Sequence, residues 1–346
     1  MGQGLRIKGQ GLWLVAVLII SLVSLSYATD ADSKTQSIVK KNIDLLKDKK
    51  YEHEAIVTLI SLKENSVPSL IEVAQNVSER PNQRLTVIDI MGDIRNHLAT
   101  DCLLGTLKDP NVKVRRASAK ALGRIGDKKA VEGLKGALTD FDTEVRFLAT
   151  RSLQQISDSS LGDTFIMLLN DPDVRIRILA ASGLGDIKEA KAVEKLSSMI
   201  GDYNDEVRLN IAIALGKIEA KSGISALNTL SEDRNISVRK EALKAIGKIG
   251  DQSSIPYLIK IAEMDNKDLR HAATVALGDI GTNEVVPTLK KLLRDEAIDV
   301  RLAAIKSLAK IGKSEFAKDF EPLLIDESTK VRKEAQAALE ELKRKK

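Results

Sequence analysis

Large aromatic rings are almost missing from this sequence: Trp, Tyr and Phe make up 3% of 346 residues, with one Trp and five Phe. The chain is nonetheless 43% hydrophobic. Its core must therefore come from Leu, Ile, Val and Ala, which favours many small helix contacts over one large globular core. Cysteine is limited to Cys102, so no intramolecular disulfide can staple the fold and packing must hold it. Cys102 itself reads as a small buried hydrophobe, not a nucleophile. Histidine stands only at 53, 97 and 271. Cys-x-x-Cys, HExxH, GxSxG and a phosphate-cradling Gly-rich loop are all missing. No catalytic residue, cofactor or metal ligand is therefore expected. Charge of one sign is missing too: 54 Lys and Arg face 49 Asp and Glu. Near-balance of this kind lacks the one-sided excess that a nucleic-acid binder concentrates on one face.

Long apolar runs are confined to the N-terminus. Arg6 and Lys8 precede an apolar stretch from Leu12 to Leu25, and Ser26-Tyr27-Ala28 places small residues at a cleavage site. The run is shorter than the roughly 20 residues of a spanning helix. Residues 1–28 are expected to be a cleaved signal peptide, giving a periplasmic or secreted monomer with no membrane insertion after cleavage. The alternative is an uncleaved N-terminal membrane anchor. No Cys follows the run, so a lipoprotein anchor is not supported. Loss of Arg6 and Lys8 with a segment that holds no acid lowers the net charge from +5 to +3. Residues 29–36, TDADSKTQ, read as a polar linker.

What the sequence has in abundance is a period. Arg84, Arg115, Arg146, Arg177, Arg208, Arg239, Arg270, Arg301 and Arg332 stand 31 residues apart without exception. Counted from each arginine, position +7 is Leu, Ile or Met, and +10 is Ile or Leu. Position −6 is Asp in seven of the eight copies from Arg115 onward, with Met264 the departure. A period this strict means stacked repeats. Inside one copy, Val114, Ser118, Ala121, Leu122 and Ile125 form one stripe at helical spacing, and Val131, Leu134 and Leu138 form another on the helix that follows. Gly126-Asp127 and Gly250-Asp251 read as helix stops followed by polar turns. Pro68, Pro256, Pro287 and Pro322 sit at or near first-helix starts, where a missing N–H costs little.

Leu122-Gly123-Arg124-Ile125-Gly126-Asp127 with Ala130-Val131, and the text from Val238 to Asp251, resemble the HEAT repeat in its short form. The resemblance covers residues 37–346. It implies an all-α, right-handed α-solenoid (superhelix) of about ten antiparallel helix-pair repeats. It also implies a non-enzymatic scaffold or adaptor that binds a protein on the concave face lined by the second helices. Two HEAT-like enzymes frame the alternative. Deoxyhypusine hydroxylase requires several facing His-Glu pairs, of which only His53-Glu54 is present here. The bilin lyases share this short repeat, so an enzyme or enzyme subunit of that type is the second reading.

The arginines themselves read as corner residues, each paired with the aspartate six residues before it or with that of a neighbouring repeat. Function should then sit in the letters that vary. If −1, +3, +7 and +10 face the core, +1, +5 and +9 point away from it. Several are apolar. Phe147, Leu148, Ile178, Leu179, Leu209 and Ile213 are the candidate partner patch. Arg116, Lys120, Arg124 and Arg151 are its expected basic rim. Lys240, Lys244 and Lys248 make a second short basic row.

Overall fold

The computed structural model describes residues 32–264 and 266–344. The signal segment and residues 29–31 lie outside them. Residues 32–36, expected as linker, are the opening turns of a helix: the stretch is polar, but Lys34, Thr35 and Gln36 do not break a helix. Every regular element among the described residues is helical, and the fold is an all-α solenoid of helix pairs. Contacts divide the chain into two units, up to Ile156 and from Ser157 onward.

The first unit holds four pairs: α1 (32–45) with α2 (Glu52–Ser61), α3 (Val67–Gln75) with α4 (Pro81–Ile94), α5 (Thr100–Thr106) with α6 (Val112–Ile125), and α7 (Val131–Ala137) with α8 (Thr143–Ile156). The second unit holds six: α9 (Gly162–Leu168) with α10 (Val174–Asp186), α11 (Val193–Ser198) with α12 (Asp205–Ile218), and α13 (Ile224–Leu230) with α14 (Ile236–Ile249). It continues with α15 (Ile255–Ala262) and α16 (Lys267–Ile280), α17 (Val286–Leu292) and α18 (Ile298–Ile311), and α19 (Ala317–Phe320) and α20 (Thr329–Arg344). From α3 onward the 31-residue period is thus one short first helix and one longer second helix per copy.

Local chemistry sets both ends of the second helix. Four residues before the arginine, Asn111, Asp173, Asn204, Asn235 and Asn266 each accept a backbone N–H of the first turn, satisfying donors the helix cannot. At the other end Gly250 takes φ +72°, a left-handed conformation that ends the helix and that a Cβ disfavours. Asp251 then accepts the N–H of Ser253 and starts the next short turn. The four prolines occupy the first or second position of their helices or turns.

Four rungs of the arginine ladder share one wiring. Arg208 donates Nη1 to the carbonyl of Asp202 at 2.7 Å, within its own copy, and donates Nε and Nη2 to both carboxylate oxygens of Asp233, in the next copy, at 2.6 and 2.9 Å. Arg177 does the same with Asp171 and Asp202, and Arg270 with Met264 and Asp295. In the first unit Arg115 bridges Asp109 and Asp140 likewise. Each aspartate also accepts the N–H two residues on, as Asp233 does from Asn235 at 2.8 Å. One carboxylate therefore shapes its own loop and anchors the preceding arginine. The planar guanidinium fork suits this double task where an ammonium would not.

Met264 breaks the pattern. Arg239 reaches the Asp233 carbonyl at 2.6 Å, but its Nε has no hydrogen-bond partner. The residue that would supply the carboxylate is Met264, 40% exposed. Met264→Asp is expected to close the rung and raise stability by about 1 kcal/mol, read as a melting midpoint higher by about 2–4 °C.

A second kind of ion pair adds to the ladder in the first unit. Arg116, next to Arg115, grips both oxygens of Asp142, the closer contact at 2.5 Å. That hydrogen-bonded guanidinium lowers the Asp142 carboxyl from 3.8 to about 2. Arg115 likewise holds Asp140 below the ordinary value. A carboxyl depressed in the folded state contributes stability that is complete above its unfolded pKa and is lost as pH falls through its folded one. Acid titration of helicity should therefore show a loss for Asp142 between about pH 4 and pH 2. Arg116→Gln should flatten that part of the curve.

Candidate protein-binding face

Second helices of successive copies pack directly on one another, whereas successive first helices stand farther apart. Glycine at +8 makes the approach possible. A Cβ at Gly185 would lie 2.9 Å from the Ala214 Cα, and one at Gly216 would lie 2.8 Å from the Ala245 Cβ. Closer spacing on one side bends each unit toward its second helices, whose outward residues form its inner face.

On this face of the first unit, Phe147 and Leu148 of α8 are half-buried. The expected basic rim beside them is largely neutralised. Arg116 is held by Asp142, Lys120 lies 3.3 Å from Asp89, and Arg124 pairs with Asp93 at 2.9 Å and reaches Asp89 at 3.4 Å. Arg151 is exposed. The acids Asp89 and Asp93 lie one copy earlier on α4. A reading of the basic letters of one copy does not register them.

In the second unit, Ile178 and Leu179 of α10 and Leu209 and Ile213 of α12 are also half-buried. They are neither core nor fully exposed, because each inner helix covers part of its neighbour's +1 and +5 rows. The +9 row is stitched by salt bridges one copy apart: Lys217 to Asp186 at 2.6 Å and Lys310 to Asp279 at 2.7 Å. Lys248 pairs with Glu219 at 3.2 Å, and Lys244 with Glu241 on its own helix at 3.1 Å.

The inner face deepens into a trough across α12, α14, α16 and α18. One hollow of about 420 Å³ is lined by Leu209, Ile213, Lys240, Lys244, His271 and Val275. A second, of about 400 Å³, continues from His271 and Val275 to Leu302 and Lys306. A third, of about 450 Å³, opens at the first turns of α16 and α18, again beside Lys240 and His271. All three share His271. The apolar patch expected from the sequence thus reaches the trough only through Leu209 and Ile213. The rest of the trough is lined by Lys240, from the second basic row, and by His271, Val275 and Lys306, so the apolar strip and that basic row belong to one surface. The +5 row of α12 to α18 alternates apolar and basic, as Ile213, Lys244, Val275 and Lys306, while the +1 row reads Leu209, Lys240, His271 and Leu302.

Other candidate chemistry does not assemble. His53 lies on α2, His97 in a short turn before α5, and His271 on α16. Among the described residues no group of three or more His, Cys, Asp or Glu is placed to hold a metal ion. Cys102 is buried on α5, and burial pushes its thiol up to about 11, which keeps it protonated and unreactive. No helix of the described residues is long and apolar enough to cross a membrane.

A family model described as HEAT repeats matches residues 67–154, 132–205, 195–277 and 259–340. No curated protein matches the chain. Among solved structures, a crystallised engineered protein is 22% identical with a TM-score of 0.56, over 88% of this chain and 99% of that one. YibA of Escherichia coli is 18% identical with a TM-score of 0.52, over 75% and 96%. A Kap121p mutant is 17% identical with a TM-score of 0.61, over 87% of this chain and 40% of that one. At these identities the likeness is one of fold.

Proposed function

Because this chain belongs to the HEAT-repeat family, we propose that it is a non-enzymatic scaffold of the cell envelope that binds a protein partner along the inner face of its second helices. A HEAT-repeat fold supports a protein-interaction role in general. The observation that carries the finer reading is the trough of the second unit. It is long, open and floored by Leu209, Ile213, Val275 and Leu302, and it crosses four successive helices. A closed pocket with convergent polar groups would suit catalysis; a strip of this kind suits an elongated partner. The envelope location rests on the N-terminal segment, which has the order of charge, apolar run and small residues that an export signal requires.

Leu209→Asp combined with Val275→Asp should abolish retention of the partner from the envelope fraction while leaving helicity and the melting midpoint in place. A double variant that unfolds, or one that keeps its partner, overturns the assignment of this face. Mass spectrometry of the exported chain should find Thr29 as its first residue; a chain retaining residues 1–28 contradicts cleavage.

A further inference from the structure

We propose that the occupant of the trough is an acidic, apolar segment of extended chain; this rests on the binding face assigned above. The inference comes from crossing off charges. On the inner rows of α12 to α18, Lys217, Lys244, Lys248 and Lys310 each have a carboxylate partner. Lys240 and Lys306 have none within salt-bridge distance among the described residues, and both are exposed at the edges of the apolar floor. They lie on α14 and α18, two copies apart and therefore about 20 Å from each other. His271 and Val275 lie between them on α16.

About six extended residues cover that distance. A segment that places apolar side chains on Val275 and Leu302, with a carboxylate at each end of the span, satisfies both ammonium groups. Asp268 and Asp299, in the first turns of α16 and α18, line the hollow that Lys240 also borders, and Asp299 borders that of Lys306 as well. They repel a uniformly acidic chain and so favour separated carboxylates with apolar residues between. A basic segment would meet Lys240 and Lys306 unscreened.

Two twelve-residue peptides test this by fluorescence anisotropy against the full mature chain: one repeats Leu-Glu-Glu-Leu, the other Leu-Lys-Lys-Leu. The acidic peptide should bind saturably and more weakly as salt rises. The Lys240→Glu, Lys306→Glu double variant should weaken it about tenfold, and Val275→Asp should weaken it as well. Both lysines are exposed, so the charge reversal leaves the fold intact, checked by its melting midpoint. Equal binding of the basic peptide, no binding of either, or an unchanged affinity in the charge-reversed variant overturns the acidic assignment. If that variant keeps its envelope partner while the Leu209→Asp, Val275→Asp variant loses it, the acidic assignment fails and the binding face stands. If the latter also keeps its partner, the face itself fails.

Discussion

Asp233→Ala is expected to cost the second unit about 3–5 kcal/mol, the range for removing one partner of a buried ion pair. Arg208 and Asp233 expose 5% and 8% of their side chains. With the carboxylate gone, the guanidinium stays enclosed with only the Asp202 carbonyl for company. The N–H of Asn235 loses its acceptor at the same time, so the cap that starts α14 loosens. Urea unfolding followed by circular dichroism measures the loss. A cost under about 1 kcal/mol would mean that water reaches this corner and that the ladder is ornamental. The double variant Asp233→Ala, Arg208→Met should recover much of the loss, because the penalty lies in stranding the charge.

Gly247→Leu is the second large effect, through shape alone. A Cβ there would lie 2.6 Å from the Ala276 Cα and 2.9 Å from its Cβ. Backbone cannot yield as a side-chain tip can, so α14 and α16 must separate. Overpacking of this kind costs about 1–3 kcal/mol, and a branched side chain belongs at the upper end. Gly105 is the internal control: it is exposed on α5, and a Cβ there would meet nothing within 4 Å. Gly105→Ala should be neutral, or stabilising by about 0.5–1 kcal/mol, because it removes backbone freedom without a clash. Thermal unfolding of the two variants side by side separates packing from propensity.

These contrasts also mark what could be read from letters alone. The period, the helix pairs, the Gly stops and the Pro starts were legible because each depends on neighbours a few residues away. The Asn and Asp caps four residues before the arginine were equally local, and were legible had that column been read. The wiring of the arginines was half legible. Fixed spacing joined Arg208 to an aspartate, but which contact takes a carbonyl and which takes a carboxylate depends on where the next copy sits in space. The exposure of Phe147, Ile178 and Leu209 was not legible at all. A helical wheel fixes an angle around one axis, while half-burial is set by the distance to the neighbouring helix. For the same reason the rim at Arg116, Lys120 and Arg124 looked positive, when Asp142, Asp89 and Asp93 neutralise it across copies. Repetition conceals this: what one copy displays, the next answers.

The repeated letters hold the stack; the varying ones on the inner face of the second unit are proposed to meet a partner. The most direct measurement is site-specific photo-cross-linking in the intact envelope, with a photoreactive residue placed singly at Ile213, Val275, Thr229 or Lys260. The first two lie on the trough. The last two lie on the first helices α13 and α15. Adducts of one discrete mass from Ile213 and Val275, with none from Thr229 and Lys260, are the predicted result. Adducts from Thr229 and Lys260 alone would place the partner on the outer helices and contradict the account.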